Sequence, residues 1–192
     1  REYSSSDKAL ADFGVGYAPM GNVAMRQLIS DGYSQDVLTA VGILGKSEDG
    51  RVYDFFRNRV MFPFFDVSGH VIAFSGRTVA SDDKCKYVNT GETSLFRKGD
   101  HIFGLYQAKR AIARDGFVYL VEGQFDVLTL HRYGVENVVG GSGTAFTEQQ
   151  VRLIIRFTQS VVMIYDADAA GMKAAVKNCE LLLKAGATVR CV

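Results

Sequence analysis

The sequence is poor in the residues that build thiol or imidazole chemistry. Its three cysteines, Cys85, Cys179 and Cys191, include no CxxC pair. An odd, scattered set predicts free thiols in a reducing cytoplasm, not a disulfide framework. The three histidines, His70, His101 and His131, are equally dispersed, so a zinc site or a His-based triad has no support. No apolar run is long enough to span a bilayer, and nothing reads as a secretory signal. No GxGxxG follows a strand and no GxxxxGK(S/T) occurs, which excludes the dinucleotide-binding and P-loop phosphate sites. Large net charge is missing too: the balance is +1 over 192 residues.

What is present is an ordinary globular composition, 47% hydrophobic and 22% charged, long enough for one large domain or two small ones. The charge is unevenly spread. Residues 57–98 hold seven Lys/Arg against four Asp/Glu, whereas residues 1–56 hold five against eight. The middle segment is therefore a candidate phosphate-binding surface. The chain opens on REYSSS without an initiator Met and closes at Val192 inside a strand-like run, which reads as a piece of a longer protein.

The first half predicts a mixed α+β region. Asp7 to Phe13, Met25 to Ser30 and Ser34 to Val41 read as short helices, with Ser34 as an N-cap and Val37, Leu38 and Val41 on one face. Gly14 to Pro19 and Glu48 to Gly50 read as turns. Arg57 to Phe65 and His70 to Ser75 read as strands of a hairpin. Arg77 follows the second strand, Lys84 to Val88 is a further short strand, and Asn89 to Glu92 and Phe96 to Gly99 are loops. A lone Lys or Arg here would be a solvated surface residue. Their recurrence at strand ends, beside Asn89 and Thr90, points to phosphate contacts.

The second half alternates strand and helix. Leu105 to Arg114 reads as a helix with Ala108, Ala111 and Ile112 inward. The strands are Phe117 to Val121, Val138 to Val139, Val161 to Tyr165 and Thr188 to Val192. Helices fill the gaps: one through Tyr133, one capped by Thr147 with Gln150 at the capping-box position, and Ala169 to Lys184. Such alternation predicts a parallel sheet with right-handed crossovers. Two strands end in acids. FVYLVEGQFD places Glu122 at a strand's carboxyl end, then Gly123, then Asp126 in the first turn of a helix. VVMIYDAD places Asp166 and Asp168 at the end of another. Ligands of open α/β sheets sit beyond the carboxyl ends of the strands. Each acid alone could simply cap its helix. Crowded carboxylates on neighbouring strand ends favour a hard divalent cation, usually Mg²⁺. Between them, Gly140, Gly141, Ser142, Gly143 and Thr144 form either a tight turn or a loop whose amides face a phosphate.

Glu122-Gly123-x-x-Asp126 and Asp166-x-Asp168, with a Gly-Thr loop between, resemble the TOPRIM domain of primases, topoisomerases, recombination-mediator proteins and some nucleases. RNRVMFPFFD, GHVIAFSGR, KYVNTGET, LFRKG and HIFGLYQAKRAI, in that order, resemble the RNA-polymerase core of DnaG-type primases. The resemblance runs from about Phe13 to Val192. Gln124 replaces the family's usual aromatic and Ala167 its usual glycine; neither change removes a carboxylate. The resemblance implies an α/β fold: a mixed α+β basic subdomain over residues 1–100, then a TOPRIM parallel-sheet subdomain over 101–192. It implies a template-directed nucleotidyltransferase that makes short RNA primers on single-stranded DNA from ribonucleoside triphosphates. It makes Glu122, Asp166 and Asp168 the catalytic metal ligands for Mg²⁺ or Mn²⁺, with Asp126 in support. Arg59, Arg77, Lys86, Asn89 and Lys98 match template- and nucleotide-facing positions, and Arg57 is expected in the same role. It also implies parts beyond this sequence: a further acidic pair after Val192, a zinc module and a module that binds the replicative helicase. Three rivals remain at this stage: another TOPRIM nuclease or topoisomerase, a non-catalytic nucleic-acid-binding module, and a purely structural role with the acids as helix caps.

Overall fold

The computed structural model describes residues 5–81, 83–141 and 146–192. The chain forms two compact units, and neither is continuous in sequence. One comprises the stretch up to Phe13, Phe65–His70 and Lys98–Val192; the other comprises Gly14–Phe64 and Val71–Arg97. The first helix, α1 (Ser5–Asp12), belongs to the former.

The Gly14–Phe64/Val71–Arg97 unit starts with β1 (Gly16–Ala18), α2 (Val23–Ser30), α3 (Gln35–Ala40), β2 (Leu44–Lys46) and β3 (Val52–Asp54). It continues with β4 (Arg59–Phe65), β5 (Val71–Thr78) and β6 (Tyr87–Asn89). Four strands make one sheet in the order β1-β4-β5-β6, while β2 and β3 pair separately as an antiparallel hairpin. The side chains of Phe56, Phe62, Phe64, Ala73 and Phe96 are buried within it. Two polar clamps fix its shape. Asp54 is 2% exposed, and its carboxylate accepts the amides of Ala24 (2.9 Å) and Met25 (2.8 Å), the orphan donors at the start of α2. Thr90 Oγ1 accepts the Phe74 amide at 3.0 Å.

Several expectations change here. Gly16–Ala18, read as part of a turn, is a strand antiparallel to β4, with Gly16 opposite Met61. Three residues are too few to show a period of two in sequence. Ser34 caps α3 as expected, accepting the Val37 amide at 3.3 Å. Leu38 is buried but Val37 is 52% exposed. A helix of under two turns buries a stripe only about one residue wide, and Val37 lies a step of 100° away from Leu38. Arg77 lies inside β5, and Asn89 closes β6, because antiparallel pairs Ser75–Asn89 and Arg77–Tyr87 carry the ladder past Gly76. The segment read as a loop from Phe96 contains a 3₁₀ turn, Lys98–Asp100.

The other unit holds α4 (Leu105–Asp115), β7 (Val118–Val121), α5 (Gln124–Arg132), β8 (Val138–Gly140), α6 (Glu148–Ile155), β9 (Ser160–Ile164), α7 (Ala169–Lys184) and β10 (Thr188–Cys191). Its sheet is parallel throughout, in the order β10-β9-β7-β8. β7 and β9 are neighbours although β8 separates them in sequence. The apolar runs explain their central place: Val118, Leu120 and Val121 of β7 and Val161 and Met163 of β9 are all at most 2% exposed. α4 adds Leu105, Ala108, Ala111 and Ile112, a stripe at helical spacing that is buried as the sequence implied. α1 docks on α5, and Phe13, fully buried, packs edge-on against His131 at 4.7 Å and against Phe103 at 5.6 Å. Burial lowers the His131 pKa below its ordinary value. Thr147 and Gln150 form the expected capping box; Gln150 Nε2 also donates to the carbonyls of Lys98 (3.2 Å) and His101 (2.8 Å). Gly140 ends β8, whereas Ser142, Gly143 and Thr144 of the glycine loop lie outside the described residues. Among the described residues no helix is long and apolar enough to cross a membrane.

Candidate active site

The acids gather where β7 and β9 end side by side. The ladder aligns Val121 with Ile164, so each strand delivers its next residues to the same sheet edge. Glu122 continues β7. Its Oε1 accepts the backbone amide of Asp166, just past β9, at 2.7 Å. One carboxylate thus bridges the two strand ends. Asp166 and Asp168 are exposed, and Glu122 is half-buried. Asp168 is the N-cap of α7 and accepts the Gly171 amide at 2.7 Å through Oδ1. Asp126 sits in the first turn of α5 and accepts the Gly123 amide at 3.0 Å. Its carboxylate secures the turn that carries Glu122.

Sequence reasoning missed the residue that lets these groups approach. A Cβ on Gly171 would lie 2.2 Å from the Asp166 carbonyl oxygen and 2.9 Å from Glu122 Oε1. Only a bare backbone fits between the first turn of α7 and the two strand ends. The available signal was a glycine three residues after Asp168, where a helix gains nothing from it. Gly140 plays a matching part on the other flank, since a Cβ there would meet the Gly123 carbonyl oxygen at 3.0 Å. A second unforeseen contact backs the site. Asn178, 5% exposed on α7, donates to the Tyr165 hydroxyl at 2.8 Å. Burial pushes the Tyr165 phenol up; the Asn178 hydrogen bond works against this, and the Glu122 carboxylate adds to it.

The donor set tests the expected metal. Glu122, Asp166 and Asp168 offer oxygen only, which suits Mg²⁺ or Mn²⁺. Among the described residues no three acidic, His or Cys side chains are placed to hold a metal ion together. Mg²⁺ asks for less, one or two carboxylates with water and substrate phosphates completing its shell. The oxygen donors of Glu122, Asp166 and Asp168 fit such an ion in kind.

The basic candidates divide by their surroundings. Arg57 is exposed, its guanidinium 5.0 Å from the Tyr53 ring centre. Arg77 stands 5.6 Å from the Tyr87 ring centre, and Lys86 is exposed. The Asn89 side-chain oxygen is buried without a hydrogen-bond partner among the described residues. Lys98 begins the 3₁₀ turn of the other unit. Arg59 differs from these. It is 8% exposed; Nη1 donates to the carbonyls of Gly76 (3.2 Å) and Cys85 (3.0 Å), and Nη2 to Asp83 (2.7 Å). Its guanidinium ties residues 83–86 to the sheet beside Lys86, a structural task the sequence did not disclose.

Comparison with known proteins gives this geometry a context. Residues 1–109 match the family model described as the DNA primase catalytic core, N-terminal domain, and residues 119–192 match a Toprim-like model. The chain is 40% identical to a DNA primase of Aquifex aeolicus over 182 residues, 95% of this chain and 36% of that protein. It is also 40% identical to a DNA primase of Clostridium acetobutylicum over 191 residues, 97% of this chain and 31% of that protein. It therefore spans about a third of the length of these relatives. Among solved structures, the zinc-binding and RNA polymerase domains of the Aquifex aeolicus primase superpose with a TM-score of 0.90 at 39% identity, over 96% of this chain and 46% of that one. A DnaG primase catalytic domain bound to single-stranded DNA superposes with a TM-score of 0.87 at 35% identity, over 97% of this chain and 59% of that one.

Proposed function

We propose that this chain, which belongs to the DNA primase catalytic-core family, supplies the metal-binding and template-binding parts of a cytoplasmic enzyme that makes RNA primers on single-stranded DNA. The observation that carries the reading is the Glu122 bridge. One carboxylate links the ends of β7 and β9 at the sheet edge where Asp166 and Asp168 also stand.

In this reading Glu122, Asp166 and Asp168 hold Mg²⁺ or Mn²⁺. Held there, such an ion would supply charge neutralisation for the displacement of pyrophosphate from the α-phosphate of a ribonucleoside triphosphate by a 3′-hydroxyl. The chain's own part is positional. The Asp166 amide fixes one Glu122 oxygen, and among the described residues the other accepts no hydrogen bond. Asp168 spends one oxygen on capping α7 and keeps the second. Asp126 holds the Glu122 turn. Arg57, Arg77, Lys86, Asn89 and Lys98 contact template and nucleotide phosphates. Arg59 positions residues 83–86, and any contact of its own with the nucleic acid would share a guanidinium already bonded to Asp83 and two carbonyls. The replicative helicase is engaged by parts of the protein outside these residues.

The test is template-dependent incorporation of labelled ribonucleotides by a protein of the relatives' full length, with Glu122→Gln run beside it. RNA products that vanish in the variant are expected. Strand cleavage without synthesis would instead make the protein a TOPRIM nuclease. Binding to single-stranded DNA is expected to weaken steeply with salt, because its contacts go to phosphates. Salt-insensitive binding would remove the basic residues from that role.

A further inference from the structure

We propose that Cys179 and Cys191 form a reversible redox site, an intramolecular disulfide that low-molecular-weight disulfides close and free thiols reopen. Cys191 is the last residue of β10 and lies opposite Met163 of β9. Residues paired across a ladder face the same side of the sheet. Cys191 therefore faces the side on which Met163, 1% exposed, is buried in the core cluster. Cys179 packs against that cluster from α7, the helix that covers β10. The two cysteines line one cavity of about 290 Å³, with Met163, Tyr165, Met172 and Leu183 among its walls. Cys191 stands near enough to help raise the Cys179 pKa. Among the described residues no third metal-binding side chain joins them, so the pair does not read as a zinc site. Cys85 stands apart in the other unit, its thiol donating to the Tyr87 carbonyl at 3.3 Å.

Accessibility divides the roles. Within residues 1–192 Cys191 is the more exposed of the two and Cys179 is half-buried, so in this chain Cys191 meets the oxidant and Cys179 resolves. The Cys191 thiolate attacks one sulfur of a small disulfide such as oxidised glutathione, forming a mixed disulfide and releasing one glutathione thiolate. The Cys179 thiol then loses its proton and attacks the Cys191 sulfur, expelling the second thiolate. The two protein protons end on the two glutathione thiolates, so the protein loses two hydrogens and the small disulfide gains them. Burial raises the Cys179 pKa, which makes the resolving step the slower one and the mixed disulfide detectable. The closed bond would join α7, whose first residues carry the Asp168 cap, to the edge strand β10.

The experiment is thiol titration and peptide mapping of this 192-residue chain in excess oxidised glutathione. The expected result is a fall from three titratable thiols to one or none, according to whether Cys85 is capped. It includes a Cys179–Cys191 cross-linked peptide that dithiothreitol dissolves. Cys85→Ser should leave the cross-link intact, and Cys191→Ser, checked for native circular dichroism, should abolish it. The oxidised chain should melt at a higher temperature than the reduced one and return on reduction. A cross-link through Cys85, disulfide-linked dimers, or arrest at mixed disulfides on Cys179 or Cys191 would overturn the proposal.

Discussion

Replacing Gly171 with alanine sets two principles against each other at one atom. Gly171 is a first-turn residue of α7, and its backbone is not left-handed. Helix propensity therefore says that Gly171→Ala stabilises, by about 0.5–1 kcal/mol. The contacts say the reverse. The new Cβ would stand 2.2 Å from the Asp166 carbonyl oxygen and 2.9 Å from Glu122 Oε1. Ordinary C···O contacts lie at ~3.3–3.6 Å, so about 1 Å of separation must be found. The nearer obstacle is backbone, which cannot swing aside as a side chain would. Overpacking of this kind costs about 1–3 kcal/mol. The strain falls on the carboxylates, because the same movement parts the Asp166 amide from Glu122 and the Gly171 amide from Asp168. A misplacement of ~1 Å in a reacting site costs on the order of a hundredfold in rate. The assays are thermal unfolding and Mn²⁺ affinity by electron paramagnetic resonance on this chain, then primer synthesis in the full-length protein. Gly16→Ala is the control, since a Cβ there meets nothing within 4 Å. A Gly171→Ala chain that melts higher than the parent and binds Mn²⁺ as tightly would refute the argument.

Three further outcomes are expected. Glu122→Gln should fold with an unchanged melting temperature yet bind Mn²⁺ at least about tenfold more weakly, a loss of ~1.4 kcal/mol; calorimetry reads both. Arg59→Met should destabilise by about 2–4 kcal/mol, because carbonyls of Gly76 and Cys85 and the Asp83 carboxylate lose their donor. Urea unfolding measures this, and a loss under ~0.5 kcal/mol would show that the clamp contributes little. Asp66 accepts the amides of His70, Ser68 and Gly69. The His70 amide leads in holding its carboxyl at about 2, against an ordinary 3.8. A depressed carboxylate stabilises the fold above its ordinary pKa, and that contribution disappears as pH falls through about 2. Asp66→Asn should therefore flatten the acid limb of a stability–pH curve between about pH 4 and 2, leaving its neutral side lower.

Much of the parallel-sheet unit was legible because local signals and tertiary packing agree there. The limits of α7, Ala169 to Lys184, follow from Asp168 as a cap and from Gly186. The strand-end position of Glu122, Asp166 and Asp168 followed from two apolar runs that stop at acids. What the sequence could not disclose depends on partners distant along the chain. Arg59 reads as a solvent-facing cation, yet its donors meet carbonyls 17 and 26 residues away. Asp54 carries no local signal at all, yet it caps a helix 30 residues earlier. β1 exists only because β4 offers it a ladder. The tolerance at Gly171 is set by an oxygen on a different element, and no local pattern encodes that distance.

The interruption of the parallel-sheet unit by residues 14–64 and 71–97 has a consequence for the protein as it is made. Phe103 and His131, which surround Phe13, leave the ribosome about 90 and 120 residues after it. At a synthesis rate of about 5–20 residues per second, that interval lasts several seconds or more. For that time a large aromatic group and its short helix have no native partner. Chaperone binding to the nascent chain, read by selective ribosome profiling, should therefore be heaviest before His131 emerges. Equally, a gene cut to start at Lys98 would encode all four described strands of the parallel sheet and still yield a poorly soluble product, with the seat of Phe13 left vacant.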